Sequence, residues 1–146
     1  MEAHGMGTGL KDYGHKLAER SVAQMFALIA GVVLVVLGIA SLIVGAEFGT
    51  GDDIVTNGLL FMDVNGWSGL LMLVTGGALL VGSRNDKMAR RVSMVAGAIY
   101  LIVTVWSLFT VTVLGVFPVN DPTAILYAAI GVLGLTAAFG PDRTHD

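Results

Sequence analysis

Four long stretches of this chain carry no charged residue, and that feature most limits what the chain can fold into. Ser21 to Ala46, Val64 to Ser83, Val92 to Asn120 and Pro122 to Pro141 contain no Asp, Glu, Lys or Arg. Each reaches the roughly 20 residues with which a helix crosses the roughly 30 Å of bilayer hydrocarbon. The first holds the run Phe26-Ala27-Leu28-Ile29-Ala30-Gly31-Val32-Val33-Leu34-Val35-Val36-Leu37. Four such runs in 146 residues leave no polar face for a soluble domain. Charged residues make up 13% of the chain, about half of the soluble average of roughly 25%. The expectation is an all-α, four-span helical bundle. Its parts are an N-terminal tail (1–20), a membrane domain (21–141, spans about 21–46, 64–83, 92–117 and 122–140) and a short C-terminal tail (142–146).

Val and Ile are abundant, but they do not argue for strands. Every backbone N–H and C=O in hydrocarbon must be paired within the protein, which a helix does inside one segment. A barrel would need apolar and polar residues in alternation, and these runs do not alternate. Orientation follows from the cations. Lys11, Lys16 and Arg20 precede the first span, Arg84, Lys87, Arg90 and Arg91 separate the second from the third, and Arg143 follows the fourth. The loops after the first and third spans carry Glu47, Asp52, Asp53, Asp63 and Asp121 instead. The positive-inside rule therefore places both termini and the 84–91 segment in the cytoplasm. Val44-Gly45-Ala46 resembles a signal cleavage site, but the run before it exceeds the roughly 7–15 residues of a signal h-region, so an uncleaved anchor is expected.

The halves of the chain echo each other. Ala30-Gly31 and Ser41-Leu42 align with Ala96-Gly97 and Ser107-Leu108 at an offset of 66, and Val64-Asn65 and Gly76 align with Val119-Asn120 and Gly131 at an offset of 55. The difference, 66 − 55 = 11, is extra length in the first outer loop. Both halves run in the same direction, so the reading is a parallel repeat of two helical hairpins about an axis along the membrane normal. Asn65, Asn120 and Asp121 are expected as helix N-caps, with Pro122 suited to a first turn. Inside lipid, close backbone approach rather than apolar area drives helix association. Gly31, Gly38, Gly69, Gly76, Gly97 and Gly131 are the expected packing positions, with Ala27, Ser93, Ala124, Ala128 and Ala138 beside them.

A search for chemistry finds little. The absence of cysteine excludes thiolate nucleophiles, disulfides and Cys-ligated metals. His4, His15 and His145 lie in the tails without ligand spacing, so neither metal nor other cofactor is expected. The span interiors hold no ionisable Asp, Glu, Lys, Arg or His, the usual mark of intramembrane function. Their polar groups are hydroxyls (Ser41, Thr75, Thr104, Ser107, Thr110, Thr112, Thr136) together with Tyr100, Trp106 and Tyr127. Such hydroxyls bond back to their own helix, while Trp67 and Tyr127 suit an outer aromatic belt. Asp52 and Asp53 lack the full calcium-loop pattern and read as a solvated turn. Ile54, Val55, Leu59, Leu60, Phe61 and Met62 read as a short amphipathic piece on the outer surface. Leu10, Tyr13 and Leu17 suggest an inner-surface segment, weakened by Gly9 and Gly14. Arg84, Lys87, Arg90 and Arg91 are expected to meet anionic headgroups, with a protein partner as the alternative.

The runs Phe26-Ala27-Leu28-Ile29-Ala30-Gly31-Val32, Phe48-Gly49-Thr50-Gly51-Asp52-Asp53, Val64-Asn65-Gly66-Trp67 and Pro118-Val119-Asn120 resemble a mostly actinobacterial family of small four-helix membrane proteins catalogued as a domain of unknown function. The resemblance spans about Met25 to Phe139, and Asn65-Gly66-Trp67 is its most specific part. It implies the four-helix fold and no activity. Histidines that often follow the Asn-Gly-Trp stretch in that family are replaced here by Ser68 and Met72, and by Tyr127 in the second half. The expected function is non-catalytic: an accessory or structural subunit of a bacterial plasma-membrane assembly, or of its own oligomer, with no nucleic-acid partner. The competing class is an oligomeric channel or small-solute permease using Thr104, Ser107 and Thr110.

Overall fold

A computed structural model describes residues 20–140 except 61 and 111. The tail residues Leu10, Tyr13 and Leu17, the cations Lys11, Lys16 and Arg143, the three histidines, and Phe61 lie outside the described residues. Four helices carry the fold: α1 (Val22–Val44), α2 (Gly66–Gly82), α3 (Asp86–Ser107) and α4 (Asp121–Ala138). One short antiparallel hairpin sits between the members of each helix pair. β1 (Asn57–Leu59) pairs with β2 (Met62–Val64), and β3 (Thr112–Val113) pairs with β4 (Phe117–Pro118). The all-α four-helix architecture is therefore present. Helices α1, α3 and α4 are long and apolar enough to cross a membrane, and α2, with 17 residues, is a shorter apolar helix packed antiparallel along α1.

Each helix begins on a side chain that satisfies otherwise orphaned N–H groups. Ser21 and Gln24 form a capping box at α1, and Asn65 and Ser68 form one at α2. Asn85 Oδ1 accepts from Met88 N–H at 2.8 Å and starts α3. That cap revises the third span: the helix begins at Asp86 rather than near 92, so Lys87, Arg90 and Arg91 lie on its first turns and not in a loop. Asp86 favours this start, since an acidic first turn complements the helix dipole. The far end moves as well. The helix stops at Ser107, and residues 112–117, read as span, instead belong to the β3–β4 hairpin, whose turn puts Leu114 and Gly115 at φ 56° and 70°. Within the amphipathic piece expected over 54–62, Leu59 lies in β1 and Met62 in β2 of the first hairpin. Its period of two buries Met62 and Val64 and leaves Leu60 at the tip with φ 49° and 73% exposure.

Packing is densest within two antiparallel pairs, α1 with α2 and α3 with α4. Small residues set both contacts. A Cβ on Gly76 would lie 2.7 Å from the Val35 amide nitrogen and 2.9 Å from the Gly31 carbonyl oxygen. One on Gly38 would lie 2.7 Å from the Leu73 nitrogen, and one on Gly97 would lie 3.0 Å from the Gly131 carbonyl. Gly31 and Gly69 face the same seam from the other side. All six glycines of the sequence reading are buried at these contacts. Gly134 joins them, against Ser93 and Gly97. Gly134 follows Gly131 at i, i+3 spacing, which puts both on one face of α4.

The seam predicts a paired result. Gly38→Ala and Gly76→Ala place a methyl on backbone and should destabilise by about 1–3 kcal/mol, lowering the melting temperature in detergent. Gly77→Ala meets open space on the same helix and should be neutral or stabilising. Equal melting for Gly76→Ala and Gly77→Ala would contradict the close approach.

Candidate functional site

The polar groups of the bundle fall into three layers. The outer layer, named only for the hairpin end of the bundle as the inner is for the opposite end, is built on the two asparagine caps. Asn65 Oδ1 accepts from the Ser68 N–H and the Ser68 hydroxyl, both at 2.9 Å, while its Nδ2 donates 2.7 Å to the Val116 carbonyl in the opposite hairpin. Asn120 Oδ1 accepts from Thr123 N–H at 3.1 Å and from its hydroxyl at 2.6 Å. The Asp63 N–H, in the first hairpin, donates to Thr123 Oγ1 at 3.1 Å and to Asn120 Oδ1 at 3.2 Å. Each cap therefore reaches across to the other half. Asp121, also expected as a cap, is the first helical residue and follows the true cap Asn120, because the Asn120 amide supplies the acceptor for N3.

The preceding loop is fastened to this layer. The Gly66 N–H donates 2.8 Å to Glu47 O, and Gly51 N–H donates 2.8 Å to Gly115 O. Trp67 is not a free belt residue. Its indole N–H donates 3.3 Å to Gly49 O, and its ring meets Phe48 edge-on at 5.1 Å. A Cβ on Gly66 would come within 2.6 Å of Glu47 O, which is why the residue between Asn65 and Trp67 is glycine. Asp52 and Asp53 are exposed on a 3-10 turn. Among the described residues no group of three or more His, Asp or Glu could hold a metal ion.

The middle layer is a pair of tyrosines. Tyr100 of α3 and Tyr127 of α4 are both fully buried, with ring centroids 5.0 Å apart, so Tyr127 belongs to the core and not to an aromatic belt. The Tyr100 hydroxyl shares a hydrogen bond with Thr75 Oγ1 at 2.7 Å, linking the second helix pair to the first. The Tyr127 hydroxyl and Ser93 Oγ are buried without a hydrogen-bond partner among the described residues. Elsewhere the hydroxyls turn back on their own helices: Ser41 to Leu37 O, Thr104 to Tyr100 O, Ser107 to Thr104 O and Thr136 to Val132 O. Among the described residues, Thr110 bonds to the nearby Thr112 backbone. A concavity of about 600 Å³ is an open groove along Leu101, Ile102, Val105, Trp106 and Phe109. Apolar but for the Trp106 indole, it brings together no acid, base or nucleophile.

The inner layer is cationic. Arg20 and Gln24 both donate to Ser83 O at the end of α2, at 3.1 and 3.2 Å. Arg90 pairs with Asp86 at 2.8 Å and donates to Ala138 O and Gly140 O at the end of α4. This revises the headgroup role expected for Arg90: its guanidinium caps a neighbouring helix, because cations and donors are stabilised by orphaned C-terminal carbonyls. The Asp86–Arg90 spacing of i, i+4 was the signal that the sequence reading missed. Arg84, Lys87 and Arg91 remain exposed.

The tyrosine layer gives a discriminating test. Thr75→Val leaves the Tyr100 hydroxyl unpaired and should destabilise by about 0.5–2 kcal/mol. Tyr127→Phe removes an unpaired hydroxyl and should melt at or above the wild type. A large loss in Tyr127→Phe would reveal a partner for that hydroxyl. Asn65→Ala removes both a cap and the cross-link to Val116, and should lower stability by about 1–2 kcal/mol.

No curated protein and no solved structure matches this chain. One family model does, over residues 24–140, which include the outer asparagine layer, the tyrosine pair and the inner Arg90 cap. The chain therefore belongs to the family described as a domain of unknown function, DUF4383.

Proposed function

We propose that this protein is a non-catalytic membrane subunit, accessory or structural, in an assembly with other membrane proteins or with copies of itself. The observation that carries this reading is how the polar groups of the spans are used. Among the described residues, most hydroxyls and amides of the spanning core are committed to caps, back-bonds and one inter-helix link, the exceptions being Ser93 and Tyr127, and the core holds no ionisable side chain apart from its two tyrosines. Intramembrane chemistry and ion passage depend on charged or freely presented polar groups. We place the protein in a bacterial plasma membrane with both chain ends in the cytoplasm, on the strength of the cation distribution. Anionic headgroups at that face meet the exposed Arg84, Lys87 and Arg91.

The two helix pairs support a parallel internal repeat. Gly31 against Gly76 is matched by Gly97 against Gly131, and Asn65 with Ser68 by Asn120 with Thr123. Gln24 donating to Ser83 O is matched by Arg90 donating to Ala138 O. Such a repeat also occurs in permeases, which keeps transport as the second reading. Thr104 and Ser107 weigh against it, since both are bonded to their own helix.

Native mass analysis after gentle extraction from the source membrane at natural abundance should recover the chain in a stoichiometric assembly or a discrete oligomer. A lone chain of about 15.2 kDa, or solute flux in liposomes abolished by Thr104→Leu, would overturn the proposal. The orientation has its own test, helped by the absence of cysteine. In intact cells an impermeant maleimide should label Gly58→Cys and spare Lys87→Cys. The reverse labelling would invert the topology.

A further inference from the structure

Between the two helix pairs the surface opens into two apolar crevices. One, of about 190 Å³, is lined by Val74, Thr75 and Ala78 of α2 with Val92, Val95, Ala96 and Ile99 of α3. The other, of about 270 Å³, is lined by Phe26, Ile29, Ala30 and Val33 of α1 with Ile130 and Leu133 of α4. The offsets of 66 and 55 carry Phe26, Ile29, Ala30 and Val33 onto Val92, Val95, Ala96 and Ile99, and Thr75 and Ala78 onto Ile130 and Leu133. The crevices are thus equivalent in position and in apolar character.

They differ at one end. On α3, Arg91 lies four residues before Val95 and Lys87 four before Arg91, so both cations follow the rim of the first crevice. Arg84 follows the end of α2, the opposite wall. All three are exposed, and none has an ion pair or hydrogen-bonded side-chain partner among the described residues. The corresponding positions on α1 are Met25 and Ser21, and the nearby Arg20 is occupied by Ser83 O.

We propose that the α2–α3 crevice binds one anionic phospholipid, an acyl chain lying along Val74, Ala78, Val95 and Ile99 and its phosphate held by Arg84, Lys87 and Arg91. The apolar slot suits a hydrocarbon chain and offers no polar partner to anything else. The cations stand at one end only, at the level where a headgroup would sit above that chain. A second copy of the protein fits less well. Two copies in one membrane share an orientation, so a symmetric contact on this crevice would bring like cations together at the same depth. The inference needs the membrane setting of the bundle and is independent of the accessory role and of which face is cytoplasmic.

The test is reconstitution into nanodiscs of equimolar phosphatidylglycerol and phosphatidylcholine with identical acyl chains, followed by native mass spectrometry of the released protein. Wild type should retain one phosphatidylglycerol in preference to phosphatidylcholine. The double variant Lys87→Gln/Arg91→Gln should retain it on the order of tenfold less. Val95→Trp, which fills the slot and keeps the cations, should lose it too. Ile29→Trp in the equivalent crevice should leave it unchanged. Melting curves check that each variant is folded, and the charge variant, altered only at exposed positions, decides if Val95→Trp is not. Equal retention of both lipids, full retention in the charge variant, full retention in a folded Val95→Trp, or a second protein copy in place of lipid would each overturn the proposal.

Discussion

Gly31 facing Gly76, and Gly38 facing Gly69, bring two helix backbones closer than any side chain would permit, and the rest of the molecule is arranged around such seams. In lipid the apolar exterior contributes nothing to holding helices together, so packing at close range must do so. Each seam joins helices that follow one another in the chain. The product is two tight antiparallel pairs with looser contact between them. That looseness is visible as the two apolar crevices, and the pairs are joined by a shared buried core and a small set of directional bonds.

Those bonds are concentrated at the outer end. Asn65 reaching Val116, Asp63 reaching Asn120 and Thr123, and Gly51 reaching Gly115 tie each hairpin to the other half. Midway, the Thr75–Tyr100 hydrogen bond is a single link among the described residues. At the inner end, the bonds of Arg20, Gln24 and Arg90 close each pair on itself instead. The bundle is thus pinned across at one face and capped within pairs at the other. The same logic explains the small outer hairpins. The chain between paired helices has backbone groups of its own to satisfy, and strands of two or three residues do so by pairing with each other.

The sequence made the helical class, the seams and the start of α4 legible, because each rests on one strong local signal. Uncharged length marks a span, glycine at close contact leaves no alternative, and Asn120-Asp121-Pro122 starts a helix by capping chemistry. What stayed hidden depends on partners distant in the chain. Tyr127 reads as a belt residue until Tyr100 is placed beside it. Arg90 reads as one more surface cation until the carbonyls of Ala138 and Gly140, about 50 residues away, are seen beneath it. The hairpins were missed for a different reason. An apolar stretch such as 108–117 satisfies the composition of a span, and only the turn at Leu114-Gly115 and the proline at Pro118 distinguish it. Arg84, Lys87 and Arg91 stay exposed.

The central claim is that this bundle consists of two separately zipped helix pairs held to each other by few bonds. Pulling single molecules apart by their ends in bicelles tests it most directly. The account predicts two unfolding steps, each releasing one helix pair, with the outer asparagine bonds setting the force of the first. A single cooperative rupture of all four helices would contradict it, because it would mean that contacts between the pairs are as strong as those within them.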